Sequence, residues 1–303
     1  MNVDPEVAEV VAAIPSWSGR LIRAETLGGG ITNRNVRVVV DRESYVIRLP
    51  GKDTDVLGID REAERRATEA AAAVGVAPEV YAFLADRGIL ITRFVEAEPL
   101  PPDQLEDRDV LADVVEAVRR IHAMGLLISS FDVFEVVQSY RTSAEERGAA
   151  IPAPYDGSLA VAERIRAAFE TTPRTRRPCH NDLLNANFLR ADGRIVIVDY
   201  EYAGMGDVFF DLGNLSINNG LGETAQEWLL QLYFGEPTTG QRARHKLMRI
   251  MSDLREAMWG VLQQGLSTLE FDYVEYAERH FARCSENASD DRFGEWLAAA
   301  GRN

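Results

Sequence analysis

The run Cys179-His180-Asn181-Asp182-Leu183-Leu184-Asn185-Ala186-Asn187-Phe188-Leu189 is followed by Arg194-Ile195-Val196-Ile197-Val198-Asp199-Tyr200-Glu201-Tyr202. It gathers a His, an Asp, an Asn, a second Asp and a Glu beside a short apolar β pattern, the side chains needed to hold metal-bound phosphates next to a hydroxyl. Transfer of a phosphoryl group asks little covalent chemistry of a protein. It asks for in-line positioning, neutralised oxygen charge and a group that takes the hydroxyl proton. Asp182 suits the role of proton acceptor. Asn187 and Asp199 are oxygen donors of the kind magnesium prefers beside phosphate oxygens and water. Either Asp182 or Asn187 alone reads as a loop residue capping backbone. The spacing H-N-D-x-x-x-x-N, followed by an apolar strand that ends in Asp, reads as a phosphotransferase centre.

These side chains must be positioned by the elements around them. The Asp192-Gly193 turn makes 188–190 and 194–198 a β-hairpin, which returns Asp199 to the side of the 180–187 loop. Upstream, 5–13 reads as a short amphipathic helix with Pro5 in its first turn, and 21–27 as a strand entering Gly28-Gly29-Gly30-Ile31-Thr32-Asn33. Strands at 35–40 and 44–49, joined by Asp41-Arg42-Glu43, complete a meander. Its glycine loop is either a flexible hairpin or a place where backbone N–H groups approach phosphate, with Thr32 and Asn33 adding polar side chains. Arg48, the one cation in its strand, faces solvent or reaches a phosphate according to the pleat. The alanine-rich stretch 59–74 reads as a helix. Its Glu62 and Glu64 are either surface charges or partners for a strand cation.

Gly75 ends that helix, and a hairpin of 79–84 and 89–94 closes a sheet of about five strands. Proline-rich 96–102 marks the lobe boundary, giving an N-terminal lobe at 1–97 and a C-terminal lobe at 98–303. Helices are expected at 103–123, 132–146 and 159–169, with 151–157 as turns, and then at 208–218, 223–234, 239–265, 272–285 and 291–300. His122 reads as a packing or capping residue. The expected fold class is α+β, a small sheet lobe followed by a larger, mostly helical one.

Bulk properties narrow the function classes. At 303 residues the chain is long enough for two lobes, and its 46% hydrophobic and 27% charged composition is that of a globular enzyme. No segment approaches the roughly 18 uninterrupted apolar residues of a membrane span, and the acidic start lacks a secretory pattern, so the cytoplasm is the expected location. Two cysteines provide no disulfide framework and no zinc spacing, so any metal is held by oxygen. A net charge of −15 speaks against nucleic acid and anionic membranes as partners and mildly favours a cationic one. The oligomeric state is not written in the sequence.

With these motifs in view, the sequence resembles the kinase-like phosphotransferases. Within them it resembles the choline/ethanolamine kinase family more than the protein kinases or aminoglycoside phosphotransferases, nearly from end to end. Residues 180–187 match the family's catalytic loop. Val198-Asp199-Tyr200-Glu201-Tyr202-Ala203-Gly204 with Phe210-Asp211-Leu212-Gly213-Asn214 is similar to its metal-binding segment, with Tyr200 where Phe is usual. Residues 259–281 resemble its C-terminal helical signature.

The resemblance implies a bilobal protein-kinase-like fold and an ATP- and Mg2+-dependent enzyme acting on the hydroxyl of a small cationic alcohol. It implies that Gly29, Gly30, Thr32, Asn33 and Arg48 serve the nucleotide phosphates, with Glu64 as the partner of Arg48, and that backbone near Phe94 and Val95 meets adenine. Asp182 is then the base, Asn187 and Asp199 hold magnesium, Glu201 meets a second metal and Asp211 braces the loop.

Trp259, Phe271 and Tyr276, with Tyr202 nearby, resemble a cage for a quaternary ammonium, although each also reads as ordinary helix packing. Two departures bear on the acceptor: Glu256 stands where relatives carry a second Trp, and Asn218 replaces a carboxylate. An acid moved between helices keeps a counter-charge but changes the cage. Choline leads as the expected acceptor, with ethanolamine, thiamine or an aminoglycoside as alternatives. A non-catalytic nucleotide- or choline-binding protein is the reading of another class, and the complete set of base and metal residues argues against it.

Overall fold

A computed structural model describes residues 4–28, 33–51, 54–171, 175–266 and 271–302, so Gly29, Gly30 and Thr32 lie outside the described residues. Helix α1 (Pro5–Ala12) opens with the Asp4 carboxylate accepting from the Glu6 N–H and with proline where no N–H is required. Strands β1 (Ile22–Thr26), β2 (Asn33–Val40), β3 (Glu43–Pro50), β4 (Val80–Leu84) and β5 (Ile89–Arg93) form one antiparallel sheet in the order β1-β2-β3-β5-β4. Val36, Val38 and Val40 alternate with more exposed neighbours, as do Tyr45, Ile47 and Leu49, and these six pack with Val7, Val10 and Trp17 of the N-terminal segment. That alternation turns Arg48 to the opposite face, toward helix α2 (Arg61–Ala73), which Asp60 caps through the N–H groups of Glu62 and Ala63.

Strand β6 (Glu98–Pro99) carries the chain out of the sheet. Helix α3 (Arg108–His122) begins later than the expected 103 because 102–106 forms a tight 3-10 turn. Asp107 then caps the α-helix, accepting from the Asp109 and Val110 N–H groups. After α4 (Val133–Glu146), α5 (Pro154–Glu170) starts inside the stretch read as turns. Proline at a first helical position presets the backbone, and buried Tyr155 anchors that first turn, so Gly157 does not break it.

Strand β7 (Arg176–Cys179) leads into the central motif, and β8 (Phe188–Ala191) and β9 (Arg194–Ile197) form the expected hairpin, with β6 added at its edge. Strand β10 (Gly204–Asp207) pairs with β7, a contact the sequence pattern did not suggest. Helices α6 (Val208–Asn218), α7 (Glu223–Phe234), α8 (Thr239–Gln263), α9 (Tyr273–Ala288) and α10 (Phe293–Ala300) complete the chain.

Helix α8 runs through the C-terminal half, flanked by α4, α6, α9 and α10. A Cβ on Gly213 would stand 2.8 Å from the Arg249 nitrogen, so glycine is what lets α6 lie directly on α8. Another buried cluster joins Ala67 and Ala71 of α2 to Leu111 and Val115 of α3, Phe188 of β8 and Leu212 of α6, fastening α2 to the central hairpin. No helix among the described residues is long and apolar enough to cross a membrane.

Candidate active site

The loop between β7 and β8 is held from beneath by α6. Asp211, fully buried, accepts from the His180 N–H at 2.8 Å, the Asn181 N–H at 2.6 Å and His122 Nε2 at 2.9 Å. Asn214 accepts from the Leu183 N–H at 2.6 Å, and Asn219 donates to the Leu183 carbonyl at 2.9 Å. His180 donates through Nε2 to the Val198 carbonyl at 3.0 Å, tying the loop to the end of β9, and burial lowers its pKa. Asn181 sits at φ 65° and Asp199 at φ 71°, a left-handed backbone that Asn and Asp tolerate better than other side chains. Fixed from both sides, Asp182 projects into a cleft of about 500 Å³ between the sheet and the helices.

Asn187 donates from Nδ2 to the Asp182 carbonyl at 2.9 Å, so the two residues share one wall of the cleft. Arg48 pairs with Glu64 and lies 2.6 Å from Asp199, which answers the question of its pleat: it faces the cleft. Glu64 also meets Arg61 at 2.7 Å. Arg61 in turn reaches Glu201 at 3.3 Å and Asn33 at 3.0 Å, and Asn33 donates to Glu201 at 2.8 Å. Glu62, by contrast, pairs with Arg65 and Arg66 on the helix surface.

Burial pushes the Asp182 carboxyl well above the usual carboxylate range, with Arg255 opposing and Glu256 reinforcing the rise. Burial and the nearby Asp199 push Glu201 up to about 7. A carboxylate whose proton affinity is raised is a better base for a hydroxyl. Asp199, Glu201 and the amide of Asn187 present hard oxygen donors at one side of the cleft, a donor set that fits Mg2+.

Farther in, Trp259 and Tyr276 line the cleft with ring centroids 5.6 Å apart. Trp259 donates from Nε1 to the Tyr202 hydroxyl at 3.1 Å, and Tyr276 donates to Glu256 Oε2 at 2.8 Å. A Cβ on Gly260 would stand 3.0 Å from Tyr276 Cδ1, so this glycine sets how closely α9 brings that ring.

Glu256 is not a free counter-charge: Oε1 accepts from Arg255 Nη1 at 2.7 Å and from Asn218 at 3.4 Å. Burial raises its pKa, but Arg255, His280 and the Tyr276 hydroxyl together outweigh burial and hold it below the usual range. The two departures noted in the sequence, Glu256 and Asn218, therefore touch each other.

The cleft brings together Asn33, Arg48, Phe94, Val95, Asp182 and Asn187. The same wall continues through Asp199, Glu201, Tyr202, Glu256, Trp259 and Tyr276. Glu64 stands behind Arg48 rather than in the wall. Phe271 is 39% exposed and meets Tyr273 and Tyr276 instead of lining the cleft. Sequence reasoning quoted Asn214 within a motif but gave it no role, and it missed Arg61 and above all Arg255, which is 2% exposed and 3.5 Å from Asp182. Its signal was an adjacent Arg-Glu pair next to the apolar residues Ala257 to Leu262.

A five-stranded sheet carrying one main helix, a helical half beyond it and an Asp-Asn-Asp constellation in the cleft between them define a kinase-like fold. The chain belongs to the choline/ethanolamine kinase family, whose model, "Choline/ethanolamine kinase", matches residues 24–228. It is 28% identical over 239 residues to protein LicA of Haemophilus influenzae, covering 76% of this chain and 70% of that one. It is 26% identical over 300 residues to ethanolamine kinase 2 of Mus musculus, covering 88% and 76%. The solved structure of a choline/ethanolamine kinase family protein from Mesorhizobium loti superposes with a TM-score of 0.85 at 31% identity, covering 98% and 99%.

Proposed function

We propose that this chain is an ATP- and Mg2+-dependent kinase that moves the γ-phosphate of ATP onto the hydroxyl of a small amino alcohol of the choline or ethanolamine kind. The observation that carries the reading is Asp182, buried on a braced loop, sharing one cleft with Asn187 and Asp199 on one side and Trp259 and Tyr276 on the other. Residues 1–97 supply the nucleotide side and residues 98–303 the catalytic and acceptor side. The expected compartment is the cytoplasm, which supplies ATP and keeps the free thiols of Cys179 and Cys284 reduced.

In this mechanism Arg48, held by Glu64, faces the nucleotide phosphates, and backbone at Phe94 and Val95 meets the base. Asn187 and Asp199 hold Mg2+, with Glu201 beside them. The ion, when bound, neutralises charge on the phosphate oxygens. Asp182 orients the acceptor hydroxyl and takes its proton as oxygen attacks phosphorus. Trp259 and Tyr276 enclose the ammonium end with aromatic surface, which favours a cation by ~0.5–2 kcal/mol per contact.

The test is an ADP-release screen with Mg·ATP across choline, ethanolamine, thiamine and an aminoglycoside, run on the wild type and on Asp182→Ala. Acceptor-dependent ADP formation that the substitution abolishes is expected. Acceptor-dependent turnover that survives Asp182→Ala would remove Asp182 from its role, and no turnover with any acceptor would favour a binding protein.

A further inference from the structure

Both carboxylates on the metal side of the cleft are held by cations from the opposite lobe: Asp199 by Arg48 and Glu201 by Arg61. Arg61 is the first residue of α2, and its guanidinium divides among three partners. Nη1 donates to Glu64 Oε2 at 2.7 Å and to Glu201 Oε2 at 3.3 Å, and Nη2 donates to Asn33 Oδ1 at 3.0 Å. The Asn33 amide closes the ring, donating from Nδ2 to the same Glu201 oxygen at 2.8 Å. Glu64, Glu201 and Asn33 are all buried.

Both donors to Glu201 fall on Oε2. Oε1 takes no donor among the described residues and is open to the cleft that Glu201 lines. Both donors also come from residues 1–97, although Glu201 stands two residues beyond Asp199 in the other lobe. Among the described residues, nothing in 98–303 donates to this carboxylate. A carboxylate with one oxygen fixed by two buried donors keeps a single orientation, and a hard cation beside Asn187 and Asp199 suits the oxygen left over. An arginine placed only to steady the start of α2 would be satisfied by Glu64, one turn along the same helix. The reach to Asn33 and Glu201 goes beyond that need.

We propose that Arg61 is a positioning residue of the metal site. With Asn33 it fixes Glu201 Oε2, leaves Oε1 to the cation, and so makes metal affinity depend on the seating of the N-terminal lobe against the C-terminal one. The inference rests on the kinase reading, in which Asn187 and Asp199 hold Mg2+, and it extends that site to a side chain outside the cleft wall.

Mn2+ is the probe, because it takes the same oxygen ligands as Mg2+ and its free form is counted directly by electron paramagnetic resonance. Mn2+ would be titrated into protein held in excess over ADP, with ADP alone as the blank. The proteins are the wild type, Arg61→Met, Arg61→Lys, Glu201→Gln and the double variant Arg61→Met/Glu201→Gln. Arg61→Met is expected to weaken Mn2+ binding by about tenfold or more, the usual effect of removing a partner of a metal-binding side chain. Arg61→Lys keeps the charge but lacks the second nitrogen that reaches Asn33, so binding between the wild type and Arg61→Met is expected. In the Glu201→Gln background Arg61→Met is expected to weaken binding no further, because it acts through the group already removed.

The Mg2+ concentration for half-maximal rate is expected to follow the same order, with acceptor KM unmoved. A lowered Tm with wild-type Mn2+ binding would make Arg61 a structural ion pair and overturn the inference. Effects of Arg61→Met and Glu201→Gln that simply add would overturn it as well. If Arg61→Met does not fold, Arg61→Lys decides, and wild-type Mn2+ binding by that variant is the contrary result. Either contrary result, found beside acceptor-dependent ADP formation by the wild type, leaves the kinase reading standing. A wild type that neither binds Mn2+ with ADP nor forms ADP with any acceptor overturns both.

Discussion

Asp211 touches neither nucleotide nor acceptor in this account, yet its carboxylate bears three donors, the N–H groups of His180 and Asn181 and His122 Nε2. In Asp211→Asn one oxygen becomes an amide NH2 facing at least one of those donors. A buried donor left unpaired costs roughly 1–3 kcal/mol. At the ~2–4 °C per kcal/mol characteristic of chains of a few hundred residues, Tm is expected to fall by roughly 2–12 °C. The larger effect is on rate, because the braced loop sets the position of Asp182, and a displacement of ~1 Å at a reacting group costs on the order of 100-fold. Thermal denaturation and steady-state kinetics on the same preparation measure both, with KM for ATP expected to hold. A variant with lowered Tm and wild-type kcat would refute the claim that Asp211 positions the base. An unchanged Tm would refute the hydrogen-bond argument itself.

Glu64→Gln leaves Arg48 and Arg61 without their shared, buried carboxylate. Breaking such a pair costs ~3–5 kcal/mol, and a raised KM for ATP with unchanged acceptor KM is expected in nucleotide titrations. Gly260→Ala places a methyl 3.0 Å from Tyr276 Cδ1, so overpacking of about 1–3 kcal/mol and a raised acceptor KM with normal ATP KM are expected. An unchanged acceptor KM would separate the Tyr276 ring from substrate. Asp199→Asn is expected to raise the Mg2+ concentration for half-maximal rate by at least about tenfold, and a wild-type magnesium titration would exclude Asp199 as a ligand.

Most of the elements were legible because their patterns are local. The alanine-rich α2, the stripe of Leu111, Val114 and Val118, and the Asp192-Gly193 turn each announce themselves within one stretch of chain. The start of α3 was misplaced because the cap residue Asp107 competes with earlier acids. The start of α5 was misplaced because Pro154 and Gly157 read as turn formers when tertiary burial of Tyr155 decides the matter. The pairing of β7 with β10 joins residues far apart in sequence and short in length, and no local signal reports it.

At the site, residue types pointed to Asp182, Asn187 and Asp199, but a charge within a helix that carries many says nothing of where it reaches. Arg255 needed the packing of α8 against α6 and α9 before its place beside Asp182 and Tyr202 could be read. The same holds for Glu256, which the sequence offers as a counter-charge and the folded chain has already paired.

The central claim is that this cleft transfers phosphate to an alcohol carried by an amine. Mass spectrometry of the acceptor after incubation with Mg2+ and γ-18O-labelled ATP tests it directly. The account predicts a labelled phosphate monoester on the acceptor hydroxyl that forms with wild-type protein and not with Asp182→Ala. ATP bound or hydrolysed with the label found only in inorganic phosphate, whatever amino alcohol is supplied, would contradict it.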